Sequence, residues 1–178
     1  LRAQILKAVP GSKLFLKAKQ LGVASGRDAV LERFSRYGIT ADRLILEGAS
    51  PRAEYLASYN RMDIALSPFP YGGTTTSAEG LWMGVPMLTK RGDRFMSHVG
   101  ETIAHNTGLS DWIAADEEEY VAKAVAFSSD LKELAKLRAG LRRQILSLPL
   151  FNSSRFANHF EKAVWGMWEL WREEKIAL

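Results

Sequence analysis

The run Arg61-Met62-Asp63-Ile64-Ala65-Leu66-Ser67-Pro68-Phe69-Pro70-Tyr71-Gly72-Gly73-Thr74-Thr75-Thr76-Ser77-Ala78-Glu79-Gly80-Leu81-Trp82-Met83-Gly84-Val85-Pro86-Met87-Leu88-Thr89 decides the fold. Met62–Leu66 reads as a strand, which Pro68 and Pro70 stop through their fixed φ. Gly72 and Gly73 allow a tight turn and close contact with a ligand. Three threonines then open a helix that runs to about Met83, and Val85–Thr89 reads as the next strand. The first-turn N–H groups of such a helix lack intrahelical partners, and with the helix dipole they favour an anion. One Thr suffices for a plain helix cap, so three after two glycines exceed what a cap needs. Glu79, one turn on, is placed to accept hydrogen bonds from a ribose beside the phosphates.

Working outward, the same alternation repeats. Leu1, Ile5, Leu6 and Val9 recur at helical spacing before Pro10-Gly11, and Lys13–Lys17 is a strand candidate. Asp28–Tyr37 predicts a helix capped by Gly38. Leu44–Gly48 predicts a strand, and Pro51 starts a helix to about Asn60. Phe95–His105 reads as helix and Leu109–Ile113 as a short last strand. Strands alternating with helices imply an α/β fold with a mostly parallel sheet covered on both faces and right-handed crossovers. Ligands in such sheets bind beyond the carboxyl ends of the strands, where the glycine-threonine turn falls. The remaining helices are expected over Glu117–Phe127, Leu131–Leu146 and about Ser154–Trp171. In the last, Phe156, Phe160, Val164, Met167 and Trp171 form one stripe that requires a partner surface. We divide the chain into a Rossmann-like domain over 1–127 and a helical extension over 128–178, packing on that domain or on a missing half.

Composition narrows the function classes. The 178 residues are 47% hydrophobic, enough for a core, and carry a formal charge of +4 from 24 basic and 20 acidic side chains. The basic residues are spread among acids, as in Arg172-Glu173-Glu174-Lys175, which argues against nucleic-acid binding. No apolar run has the length of a membrane span, and LRAQILKAVPG lacks the apolar centre of a signal peptide. A cytoplasmic setting without membrane attachment is therefore expected. With no cysteine, thiol catalysis and thiolate metal sites are excluded. His98 and His105 can share a helical face but lack a third ligand, so no metal site is expected. Glu117-Glu118-Glu119 fits an acidic first helical turn.

Other nucleotide-binding signatures are missing. No Lys-Ser or Lys-Thr follows the glycines, so the turn is not a Walker A loop, and no Gly-x-Gly-x-x-Gly stands at the first strand. Two further segments border the same crevice. In Gly48-Ala49-Ser50-Pro51-Arg52-Ala53-Glu54-Tyr55, Arg52 can meet a base carbonyl or a phosphate, and Tyr55 can stack on a ring or simply pack. In Lys90-Arg91-Gly92-Asp93-Arg94-Phe95-Met96-Ser97-His98-Val99, the charges either cover a pyrophosphate or form an ordinary polar loop. Glycosidase chemistry needs two placed carboxylates, and Glu79 lacks an evident partner. The residues thus define a binding site more clearly than a catalytic set.

These segments together resemble the carboxyl-terminal half of the catalytic region of protein O-linked N-acetylglucosamine transferases, the SPINDLY-like enzymes that carry tetratricopeptide repeats upstream. The resemblance spans nearly the whole chain. It rests on Val9-Pro10-Gly11-Ser12, Arg61–Leu66, the Gly-Gly-Thr-Thr-Thr turn and Leu81-Trp82-Met83-Gly84-Val85-Pro86. It continues through Ser147-Leu148-Pro149-Leu150-Phe151-Asn152 and the Trp-rich last helix. It implies a GT-B glycosyltransferase whose carboxyl-terminal Rossmann-like half holds a UDP-sugar, with a protein or peptide acceptor in the cleft between halves. Carried over by position, Gly73, Thr75 and Thr76 fall at the diphosphate, and Thr74 stands where animal enzymes have a histidine. Glu79 matches the ribose-binding acid, which is Asp in familiar members. Ser50 falls where a backbone group meets uracil, Arg52 where a lysine holds the base, and Tyr55 where many members have a histidine near the diphosphate. The resemblance also implies no cofactor beyond the donor substrate, UDP-N-acetylglucosamine as that donor with inversion at the anomeric carbon, and catalytic groups on a missing amino-terminal half. No catalytic residue is assigned to this chain; Lys17 and Lys19 do not match the family's phosphate-contacting lysine. Two other readings stay open: a related transferase using another sugar or acceptor, and a non-catalytic protein-interaction module that retains the fold.

Overall fold

The computed structural model describes residues 1–176. Its helices are α1 (Arg2–Ala8), α2 (Ala24–Ser35), α3 (Arg52–Ser58), α4 (Thr75–Trp82), α5 (Val99–His105), α6 (Glu117–Ser129), α7 (Leu131–Leu146) and α8 (Ser153–Ile176). Its strands are β1 (Leu14–Lys17), β2 (Leu44–Glu47), β3 (Ala65–Leu66), β4 (Met87–Lys90) and β5 (Ile113–Ala114). Every strand pair is parallel, with Leu14 opposite Leu44, Ala65 opposite Met87, and Thr89 opposite Ile113. Helices intervene between most successive strands, as parallel pairing requires. The architecture is Rossmann-like α/β.

The expected single sheet is hydrogen-bonded in two pieces, β1–β2 and β3–β4–β5. The third strand is shorter than its sequence suggested, because Met62, Asp63 and Ile64 precede the paired residues Ala65 and Leu66. Side chains bridge the two pieces. Arg61 donates to Glu47 at 2.7 Å and lies over the Phe15 ring at 4.8 Å, and Leu66 packs against both apolar clusters. The smaller cluster holds Leu6, Leu14, Phe34, Ile39 and Leu44. The larger is centred on Leu81, Met87, Leu88, Ile103 and Trp112 and extends to Leu134, Leu141 and Ile145 of α7.

Local chemistry accounts for most boundaries. Gly38, at φ 72°, ends the α2 segment in the left-handed conformation that glycine adopts without steric cost. Asp116 caps α6 by accepting from the Glu119 N–H at 2.8 Å, and Asp130 does the same for α7 through Lys132 and Glu133. Glu117-Glu118-Glu119 is indeed the first turn of α6. Two segments differ from their sequence expectation. Phe95–His98 forms a 3-10 turn ahead of α5, and Ser110–Trp112 forms another where the last strand was expected to begin. Leu109 and Trp112 are buried, Trp112 stacking on Phe127 at 4.1 Å, so the apolar run there reflects burial rather than sheet pairing. The helix α8 runs farther than its stripe predicted, and Phe156, Phe160, Val164, Met167 and Trp171 are all exposed.

Candidate functional site

The strands of the β3–β4–β5 piece run the same way, so the segments after β3 and β4 emerge at one edge, and the Arg52–Glu79 ion pair brings the segment after β2 to the helix that follows β3. The segment after β3 is the glycine-threonine turn. Gly73 lies so close to the start of α4 that a Cβ on it would sit 2.6 Å from Thr76 Oγ1 and 2.8 Å from Ser77 Oγ. Ser77 Oγ donates to the Gly73 carbonyl at 2.8 Å, tying the turn to the helix it starts. The first intrahelical bond runs from the Ala78 N–H to the Thr74 carbonyl at 3.1 Å, which leaves the amides of Thr75, Thr76 and Ser77 ahead of it. Thr74 occupies the cap position, yet its side chain makes no capping bond. The side chains of Thr74, Thr75 and Thr76 are exposed, as a ligand-facing set must be and a simple cap need not be.

The segment after β2 meets this turn. Gly48 stands against Gly22, where a Cβ would come 2.7 Å from the Gly22 Cα, so the exit of β2 is fixed by backbone contact. Ser50 follows with its Oγ buried and without a hydrogen-bond partner among the described residues. Arg52 opens α3 and makes an ion pair with Glu79 of α4. Arg52 is 66% exposed and Glu79 only 12%, so the carboxylate is the fixed member and the guanidinium the movable one. Glu79 raises the Arg52 pKa through this hydrogen bond. The guanidinium also lies 5.9 Å from the centre of the Tyr55 ring. Arg52 and Tyr55 from the β2 side thus lie by Glu79 of α4, the helix that begins at Thr75 and Thr76 after Gly73 and Thr74, and Ser50 lies two residues ahead of Arg52 on the same segment.

Two residues that the sequence reading did not single out complete the floor. The Tyr59 hydroxyl donates to the Thr76 carbonyl at 3.0 Å and lies 2.8 Å from the Tyr55 hydroxyl. Its helical spacing of four from Tyr55 was the available signal. Burial first, then the Tyr59 hydrogen bond and the nearby Glu79 carboxylate, raises the Tyr55 pKa, so it stays a neutral hydroxyl and offers none of a histidine's proton exchange near neutrality. Ser67, just after β3, is buried with its Oγ unpartnered among the described residues, and its carbonyl accepts from Tyr120 of α6 at 3.3 Å. Burial pushes Tyr120 up to about 12. Nothing in the sequence near Ser67 marked it.

The Lys90–Val99 segment divides its charges. Lys90 Nζ lies 3.6 Å from the centre of the Phe69 ring, on the approach to the turn. Arg91 and His98 are instead bound to Glu101, at 2.9 Å each, with His105 Nε2 3.8 Å away. His98 and His105 therefore do share one carboxylate, and among the described residues no group of three or more His, Cys, Asp or Glu is arranged to hold a metal. No described helix is long and apolar enough to cross a membrane.

The sequence profile of glycosyl transferase family 41 matches residues 1–160. The chain belongs to that family. Among family relatives, it is 37% identical over 168 residues to the Arabidopsis thaliana protein named "Probable UDP-N-acetylglucosamine--peptide N-acetylglucosaminyltransferase SPINDLY". It is 35% identical over 167 residues to the Solanum lycopersicum protein of the same name. These alignments cover 94% and 93% of this chain but 18% of each relative, so the chain spans under a fifth of their length. In three dimensions it is similar to a mutant O-GlcNAc transferase of Thermobaculum terrenum, with a TM-score of 0.88 and 35% identity, covering 94% of this chain and 32% of that one. Family 41 membership and this likeness agree with the parallel α/β architecture.

Proposed function

We propose that this chain is the UDP-sugar-binding part of an inverting glycosyltransferase that moves N-acetylglucosamine to protein Ser or Thr hydroxyls. The observation that carries the reading is the open first turn of α4, with exposed hydroxyls at Thr75 and Thr76, lying beside the Arg52–Glu79 pair. The amides and threonine hydroxyls hold the diphosphate. Glu79 takes the ribose hydroxyls, while Arg52 leaves the carboxylate for the base. Ser50 and Tyr55 border the nucleoside. The names of the relatives support this donor and acceptor class.

In transfer, the acceptor oxygen bonds to the anomeric carbon as the bond to UDP breaks, and the electron pair leaves with the diphosphate. Charge on the leaving oxygen grows toward the transition state. Fixed amides at a helix N-terminus favour that charge more than the ground state, so they lower the barrier rather than merely tighten binding. The group that takes the acceptor proton belongs to the missing amino-terminal half, with the tetratricopeptide repeats preceding it. In this reading residues 1–127 form the donor-binding unit, and 128–178 carry the α8 stripe toward that half. A cytoplasmic setting suits a nucleotide-sugar donor.

The direct test is titration of the chain with UDP, expected to give a saturable signal. The double variant Thr75→Ala with Thr76→Ala should weaken UDP binding about tenfold or more while leaving circular dichroism unchanged, since it removes two hydroxyl contacts to a charged group. Equal affinity in the double variant removes the diphosphate role. Absence of saturable UDP binding, both in this chain and in a longer chain containing the missing half, removes the assignment. The exposed α8 stripe supports one other reading, an interaction module. Association with a protein partner in a chain indifferent to UDP would favour it.

A further inference from the structure

Building on the UDP-sugar reading, we propose that Tyr59 is a positioning residue. It clamps the first turn of α4 so that its free amides face the diphosphate, and Tyr55 couples this clamp to Arg52 at the nucleoside end. The contacts form one chain. Arg52 lies over the Tyr55 ring, the Tyr55 hydroxyl meets that of Tyr59, and Tyr59 reaches the Thr76 carbonyl. Proton supply sets the direction. A phenol has one hydrogen to donate. Tyr59 spends its hydrogen on Thr76, so Tyr55 must donate to Tyr59. Only lone pairs then remain on the Tyr55 oxygen, and toward a ligand it is an acceptor.

The clamp has a second support. The Tyr59 ring is buried against α4 where Gly80 removes a side chain, and a Cβ there would lie 3.2 Å from a ring carbon. The Thr76 carbonyl sits within the first turn whose amides are unpaired. A bond to it from a buried phenol fixes the tilt of that turn at the point where a displacement would misdirect the amides. The two tyrosines also edge-pack at 5.6 Å, so a shift of α3 with the nucleoside is transmitted to the diphosphate end.

The test compares UDP with uridine monophosphate on the wild-type chain, Tyr59→Phe and Tyr55→Phe, by calorimetry, and adds amide hydrogen exchange of the free proteins. Tyr59→Phe should cut the preference for UDP over the monophosphate about two- to tenfold, the worth of one buried hydrogen bond. It should also speed exchange at Ala78 and Glu79. Tyr55→Phe should do the same to a smaller degree. A folded Tyr59→Phe with an unchanged preference and unchanged exchange overturns the clamp, even if its melting temperature falls, because packing alone predicts that pattern. If Tyr59→Phe does not fold, Tyr55→Phe decides by the same two readouts. If neither the wild-type chain nor a longer chain containing the missing half binds either nucleotide, the function reading fails, while exchange still decides the clamp.

Discussion

Two helices of this chain present opposite solutions to amphipathicity. The short α4 buries Ser77, Gly80 and Leu81 against the sheet and Tyr59, and its polar N-terminus faces outward. The long α8 leaves Phe156, Phe160, Val164, Met167, Trp168 and Trp171 exposed, with Phe156 on Phe160 and Trp168 on Trp171 stacked only along the helix itself. A helix held on one side by a core can aim its end at a ligand, because its tilt is already fixed. A helix whose apolar face is bare has its energetics deferred to whatever covers it. The first is a finished device and the second an unfinished interface.

The largest expected effect separates core from stripe. Leu141 is fully buried where α7 joins the larger cluster, and Leu141→Ala should destabilise the chain by about 2–5 kcal/mol. Phe160→Ala on α8 should stay within about 0.5 kcal/mol, as exposed substitutions do. Urea denaturation followed by circular dichroism measures both. Comparable losses at the two sites would mean that the stripe is covered in solution and would erase the contrast.

A glycine pair sharpens the same comparison at lower energy. Replacing a helical glycine by alanine is worth about 1 kcal/mol where space is open. Gly166 of α8 has nothing within 4 Å of an added Cβ, so Gly166→Ala should raise stability by up to that amount. Gly80 of α4 has the Tyr59 ring 3.2 Å away, so Gly80→Ala should give up the gain or reverse it by about 1 kcal/mol through strain. Thermal melts of the two variants read the difference. Equal stabilisation would show that the contact between Tyr59 and α4 is loose.

The contrast also explains what could be read from the sequence. The turn at Gly72–Thr76 was legible because its signals are local: prolines that stop a strand, glycines that turn, hydroxyls at a helix start. Gly38 and the α6 acids were legible for the same reason. The α8 stripe was legible as a pattern and silent about its partner, since periodicity records a face and not the surface that meets it. The Arg52–Glu79 pair joins residues from two helices and two sheet pieces, and no local rule connects them. Tyr59, Ser67 and the division of the sheet at the two-residue β3 depend likewise on packing across the fold. The apolar run before Ile113 misled because burial and strand pairing leave the same mark on a short segment.

The smallest expected effect concerns Glu101, beside the site on α5, set against Glu161 on exposed α8. The His98 hydrogen bond, followed by that of Arg91, holds the Glu101 carboxyl below its ordinary 4.5. A carboxyl lowered in the folded chain stabilises it fully above the unfolded value, and that contribution fades as pH falls through the folded value. Stability from Glu101 is therefore whole near neutrality and lost in the acid range below about 4.5. Arg91 and His98 are about half exposed, so the pair is worth only about 0.2–1 kcal/mol. Glu101→Gln should lower the urea midpoint at pH 7 and converge with the wild type toward pH 3. Glu161 is exposed on α8, and Glu161→Gln should leave the urea midpoint within the small range of exposed substitutions. A constant gap between wild type and Glu101→Gln across this range would assign the loss to the glutamine's fit rather than to charge. Convergence with both variants would trace the acid sensitivity to the charge of the whole molecule and not to the cluster at α5.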